Sequence, residues 1–206
     1  MAPVDPGPAL DAAQLERALA GNLIGRRVVT LASTASTNDS VWQMAEAGAE
    51  EGLVVFAEEQ TAGRGQRGNY WESAARQGLW FSILLRPNLA PAQSARLTAW
   101  AAQSVVAAIS RELSLAATIK PPNDVQINGR KVAGVLVEMR AQQNAPHIAI
   151  AGIGINVNHS TDDFPNELRE STTSLAIVLD RQVDREKFAA ALLRDLDRTY
   201  TAALGR

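Results

Sequence analysis

Asn128-Gly129 limits how this chain can fold more than any other feature. It stands between two short β-prone runs, and an Asn-Gly connection favours positive φ at both positions, the geometry that joins neighbouring antiparallel strands. An uninterrupted hairpin there pairs Ile127 with Arg130, Gln126 with Lys131 and Asp124 with Ala133. Alternation then sets Asp124, Gln126 and Lys131 on one face, with Asp124 and Lys131 as diagonal neighbours about 7–8 Å apart at the backbone. Ala133 and Gly134 beside them are small enough to leave room for a ligand. On the hairpin alone, ordinary surface charges are the simpler reading.

Around this hairpin the patterns predict strands over residues 27–31, 53–58, 79–86, 117–120, 125–127, 131–139 and 147–155. They predict helices over residues 10–20, 39–47, 91–113, 173–179 and 184–203. Val41, Trp42, Ala45 and Ala49 share one helical face, and Ser36 with Asp39 three residues on fits a capping arrangement. The fold class is α+β: a mixed, mainly antiparallel sheet with helices packed on it. Residues 1–8 read as a flexible tail and 9–206 as one domain.

Twenty Lys and Arg against 22 Asp and Glu give a net charge of −2, so no global positive field recruits nucleic acid or an anionic membrane. Any phosphate site has to be local. There is no cysteine, which excludes thiolate chemistry and suits a cytoplasmic protein. His147 and His159 stand too far apart in sequence to suggest a metal cluster. The longest apolar run, residues 148–157, is shorter than a membrane span and carries two glycines, and the N-terminus lacks the basic start of a signal peptide.

Gly63, Gly65 and Gly68 form a GxGxxG pattern in the long loop between the second and third strands. A dinucleotide site would need a helix opening at the third glycine and a crossover to a parallel strand. Here Asn-Tyr-Trp-Glu-Ser follows and the next strand is about ten residues on, so an oxidoreductase of that type is disfavoured. The glycines instead allow close backbone approach to a ligand, while Arg64 and Arg67 supply planar forks for phosphate or carboxylate. Trp71 at the loop's end could stack on a nucleobase or pin the loop to the core. Ser36-Thr37-Asn38 could hold a ligand or simply start a helix, and Asn156, after two strand glycines, could bond a ligand or form a turn.

Together these segments resemble the catalytic domain of biotin protein ligases. Ser36-Thr-Asn38, Ala57-Glu-Glu-Gln-Thr-Ala-Gly-Arg-Gly65, Gly68 to Trp71, Lys120-Pro-Pro-Asn-Asp124, Lys131-Val-Ala-Gly134 and Gly152-Ile-Gly-Ile-Asn156 occur in the family's order, from about residue 27 onward. The resemblance implies that biotin's carboxylate attacks the α-phosphate of ATP, giving biotinyl-5′-AMP and pyrophosphate. A lysine of a biotin carboxyl carrier domain then attacks the mixed anhydride and releases AMP. Magnesium would enter bound through the triphosphate.

By the same resemblance Ser36, Thr37, Asn38, Gln60, Arg64, Gly65, Gln66, Lys131 and Gly134 would hold biotin. Arg64, Arg67, Trp71, Lys120, Asn123, Lys131 and Asn156 would hold ATP or the adenylate. Lys131 and Arg64 would neutralise carboxylate against phosphate, and Asp124 would orient Lys131 or take the incoming lysine's proton. A homodimer through edge strands among residues 117–155 is the assembly that the family offers.

The chain departs from the pattern at Gln66, where the family commonly has arginine, and at Pro121, where it often has tryptophan. Loss of the Gln66 charge is expected to loosen retention of the adenylate. The length predicts neither an N-terminal helix-turn-helix nor a C-terminal small β domain. Rival readings are a lipoate ligase or octanoyl transferase on a related fold, and a biotin-binding regulatory module without turnover.

Overall fold

The computed structural model describes residues 7–143 and 146–204. Seven strands form one sheet: β1 (Arg27–Leu31), β2 (Leu53–Ala57), β3 (Gly78–Leu85), β4 (Thr118–Lys120), β5 (Asp124–Ile127), β6 (Arg130–Arg140) and β7 (Ile148–Asn156), in the order β1-β2-β3-β7-β6-β5-β4. Among the described residues five α-helices pack on it: α1 (Ala12–Ala18), α2 (Thr37–Glu46), α3 (Ser94–Leu113), α4 (Leu175–Leu179) and α5 (Arg185–Leu204). The expected α+β class holds. β1 and β2 run parallel with α2 as their crossover, and the other pairs are antiparallel. Residues 1–6 of the predicted tail lie outside the described residues, whereas the Pro8 carbonyl accepts from Arg185 Nη2 at 2.7 Å.

Period-two alternation sorts the sheet into two faces. Phe81 and Ile83 of β3 with Ala149, Ala151, Ile153 and Ile155 of β7 face the main core, which α1, α3 and α5 cover with Leu15, Leu97, Val105, Ile109, Leu192 and Leu196. On the opposite face Leu53, Val55, Leu84, Ile148 and Ile150 pack beneath Val41, Trp42 and Ala45 of α2. That second layer covers only part of the sheet. Past it the face carries Gly134, Gly152 and Gly154, and the site lies there.

Asn128 and Gly129 adopt φ of 51° and 76°, the left-handed pair that the turn requires. Ile127 pairs with Arg130 and Gln126 with Lys131, as the sequence predicts. The expected Asp124–Ala133 pair does not form. A bulge shifts the register, so that Val125 faces Ala133 and Asp124 faces Gly134. Val132 and Ala133, adjacent in sequence, are both in the core. A bulge adds one residue to one strand and re-aims what lies beyond it. Under regular alternation Lys131 would share its face with Ala133; with Val132 and Ala133 both turned to the core, Lys131 shares the face of Gly134.

Ser36 occupies the N-cap of α2, but its side chain makes no cap hydrogen bond, and the expected capping arrangement is absent. The reason is tertiary. Gln60 Oε1 accepts from Thr37 N at 2.9 Å, while the Asp39 carboxylate is turned to Arg64.

Candidate active site

The open face of the sheet forms the floor of a cavity of about 230 Å³. Three glycines clear it. A Cβ on Gly152 would stand 2.3 Å from Asn38 Oδ1, one on Gly154 2.6 Å from the Trp71 ring, and one on Gly134 2.9 Å from that same ring. Gly134 and Gly154 are register partners, so Trp71 lies across two neighbouring strands at a point where neither has a side chain. Trp71 therefore pins the loop to the sheet and walls the cavity at once. Its indole N–H is buried without a hydrogen-bond partner among the described residues.

At one side Lys131 Nζ meets Asp124 Oδ1 at 2.7 Å and lies 5.0 Å from the centroid of the Trp71 ring. The bulge and the diagonal contact set this pair, whose side chains are 31% and 25% exposed and thus open to a ligand. The backbone of Lys131 is clamped from the other edge: its N donates to Ser171 O at 2.8 Å and its O accepts from Thr173 N at 2.9 Å. Asn123 braces the neighbouring turn by donating Nδ2 to Val135 O at 2.9 Å.

At the other side the start of α2 meets the glycine-rich loop. Gln60 Oε1 accepts from Thr37 N and Thr37 Oγ1, and its Nε2 donates to Ser73 Oγ at 3.0 Å. The Ser82 hydroxyl lies 2.7 Å from Thr37 Oγ1 and 2.6 Å from Asn38 Oδ1. Asn38 Nδ2 donates to Glu138 Oε2 at 3.0 Å, as does Trp42 Nε1 at 3.1 Å. Thr37, Asn38 and Ser82 are buried, and their mutual bonds offset the cost of placing polar groups there. Arg64 reaches back from the loop to Asp39 and Glu138. The Asp39 hydrogen bond is the main cause holding its guanidinium charged beyond its ordinary range.

Of the residues singled out in the sequence, Ser36, Thr37, Asn38, Gln60, Arg64, Gly65, Gln66, Trp71, Asn123, Asp124, Lys131 and Gly134 line this one cavity. Pro121 precedes Pro122, which also lines it. Lys120 does not reach it: opposite Asp124 on β4, it is solvent-exposed and outside the lining. Asn156 is outside it too, because its Nδ2 is bound to Thr173 O at 3.1 Å, where it secures the segment that clamps Lys131. The Arg67 side chain lies outside the described residues.

Sequence reasoning missed Glu138, Ser82, Ser73 and the role of Asp39. A signal existed for two of them. Ser82 is the one hydroxyl in the apolar run Leu79 to Leu85, and Glu138 ends the run Val132 to Val137 on the face of Gly134. A polar group in such a run needs a partner.

Fold and cleft define a class: an α+β protein whose sheet carries a glycine-floored cleft with two cations, suited to a carboxylate and a phosphate side by side. Residues 30–156 match the model of the Biotin/lipoate A/B protein ligase family. The chain is 35% identical over 191 residues to the bifunctional ligase/repressor BirA of Bacillus spizizenii, covering 93% of this chain and 59% of that protein. It is 35% identical over 197 residues to the biotin–[acetyl-CoA-carboxylase] ligase of Mycobacterium tuberculosis, covering 88% of this chain and 69% of the relative. Among solved structures, the Aquifex aeolicus biotin protein ligase in complex with biotin and ATP superposes with a TM-score of 0.71 at 28% identity, covering 84% of this chain and 71% of the other. The chain belongs to the Biotin/lipoate A/B protein ligase family. It spans 59% of the length of the Bacillus relative.

Proposed function

We propose that this chain is an ATP-dependent biotin protein ligase. One observation carries the reading: the β6 bulge brings Lys131 onto the glycine-cleared face, where its ammonium, across the cavity from Arg64, can sit between two anions. In the first step a biotin carboxylate oxygen attacks the α-phosphorus of ATP, the bond to the bridging oxygen breaks, and pyrophosphate leaves. The nucleophile is already an anion, so the site's work is to hold like charges together and to stabilise the charge that develops. Lys131 and Arg64 supply that charge. Asp124 fixes the Lys131 ammonium and is the carboxylate in the lining that can take a proton from the acceptor amine.

In the second step the acceptor lysine nitrogen attacks the acyl carbon of biotinyl-AMP, an amide forms, and AMP departs. Ser36, Thr37, Asn38 and Gln60 offer the polar end of the cavity to biotin's ring, and Trp71 with Asn123 faces the nucleotide. Magnesium would enter on the triphosphate, whose charge it shares. The acceptor is a biotin carboxyl carrier domain, and β4 is the edge on which a homodimer would form. The cytoplasm, where ATP and carboxylases meet, is the compartment that fits a chain without cysteine.

The test is pyrophosphate release and carrier labelling with biotin and magnesium ATP, in the wild type and in Lys131→Ala. Both activities should appear with biotin and fall about 10²–10³-fold in the variant, the usual cost of one transition-state donor. Lipoate in place of biotin should give neither. Biotin binding without pyrophosphate release would point to the regulatory module, and preference for lipoate would move the chain to the other branch of its family.

A further inference from the structure

Arg64 turns toward α2. Its Nη1 and Nη2 donate to the two oxygens of Asp39 at 2.6 and 2.8 Å, and Nη2 also donates to Glu138 Oε1 at 3.3 Å. Glu138 spends its other oxygen on Asn38 and Trp42. A single carboxylate thus joins the glycine-rich loop, the cavity floor and the helix. Asp39 has no capping duty that would otherwise explain its place in the first turn of α2.

We propose that Asp39 and Glu138 are positioning residues for Arg64, and that together they latch the glycine-rich loop beside the cavity before any ligand arrives. The loop carries Gly63, Gly65 and Gly68, residues that lose the most backbone freedom on ordering. A ligand that had to order this loop would spend binding energy on it; a bidentate pair that fixes the loop beforehand removes that cost. The three bonds use three of the guanidinium's five N–H groups and leave two. Arg64 can therefore stay latched and still touch an anion in the cavity. The side chains of Arg64 and Asp39 are 38% and 45% exposed, so the latch is open to screening by salt. Through Glu138, the position of the loop and the orientation of the Asn38 amide are held by one group.

The latch belongs to the free protein, and only the identity of the ligand rests on the reading above. Hydrogen–deuterium exchange of the full chain without ligand reads the latch directly. Asp39→Asn should speed exchange of residues 62–70 by about fivefold, the size an exposed ion pair supports, with the rest of the sheet unchanged. Asp39→Glu should restore protection, and 1 M NaCl should bring the wild type close to Asp39→Asn. Equal exchange in wild type and Asp39→Asn would overturn the latch. With biotin as the probe, Asp39→Asn should raise the half-saturating concentration several-fold more than it lowers turnover at saturation. A lowered half-saturating concentration would show that Asp39 competes for Arg64 and would overturn positioning. A chain that binds no biotin sinks the proposed substrate, while the exchange result still judges the latch.

Discussion

Along β7 one face carries Ile148, Ile150, Gly152 and Gly154 in succession, and the two halves of that row do opposite things. Ile148 and Ile150 fill the space under α2. Gly152 and Gly154 open the floor of the cavity, between the same two neighbours β3 and β6 and in the same unbroken ladder. The space for a ligand is thus made by removing side chains while the backbone hydrogen bonds are kept, so floor and core share one rigid frame. Beyond Gly154 the face is filled again, this time by rings: Trp80 stands edge-on to both Trp71 and His159, and His159 stacks on Phe164.

The largest effect on the fold should come from emptying the filled half. Ile150→Ala should cost about 2–5 kcal/mol of stability, read as a lowered midpoint of thermal unfolding, roughly 2–4 °C per kcal/mol at this size. Ligand affinity measured well below that midpoint should change little. An equal loss of affinity would mean that the two halves are not separable.

The ring-filled end gives the next effect. Burial pushes the His159 imidazole down to about 4, with Asp163 opposing weakly. Its folded value lies below the free value of 6.5, so the unfolded chain takes up the proton first. Its contribution to stability is present above pH 6.5 and is lost as pH falls toward 4. The full loss is on the order of 3 kcal/mol, since each tenfold change in proton affinity is worth about 1.4 kcal/mol. His159→Phe should flatten denaturation midpoints over that window; an unchanged slope would place the pH dependence elsewhere.

The smallest effect on the fold should come from filling the empty half. Gly152→Ala should cost about 1–3 kcal/mol through overpacking, because its Cβ meets Asn38 Oδ1. It should displace the Asn38 amide and weaken ligand binding more than Ile150→Ala does. If calorimetry showed tighter binding instead, the glycine would not be there to clear space.

Local patterns made most of the fold legible. The strand over residues 27–31 is met residue for residue, the other strands fall within one residue of their expected ends and the two longest helices within three, and Asn128-Gly129 fixed the first two pairs of its hairpin. Local pattern singled out the glycines and charges of short segments, and the family resemblance assigned them, with Ser36, Thr37, Asn38 and Gln60, to one site. What it could not give depends on partners distant in sequence. The bulge opposite Val125 is a matter of how the hairpin meets the core. Ser36 with Asp39 looked like a capping arrangement because Arg64, which takes the Asp39 carboxylate from 25 residues away, is invisible to a three-residue pattern. Asn156 looked free for a ligand because Thr173 is as remote. Glu138 was hidden for the same reason: its partners Asn38, Trp42 and Arg64 come from two other segments.

The extra residue in β6 has a consequence for how this protein can change. Point substitutions at Lys131, Val132 or Ala133 alter chemistry or packing but leave the reach of position 131 intact. Deleting Val132 removes one buried side chain but places Lys131 two residues from Gly134, so that plain alternation keeps both on the cavity face opposite Gln126 and Asp124. A library of single-residue deletions across the hairpin should therefore show function surviving at residue 132, at some cost in stability, and lost at Lys131. The strand thus carries one residue of slack in its length, and length drifts by a different genetic route from identity.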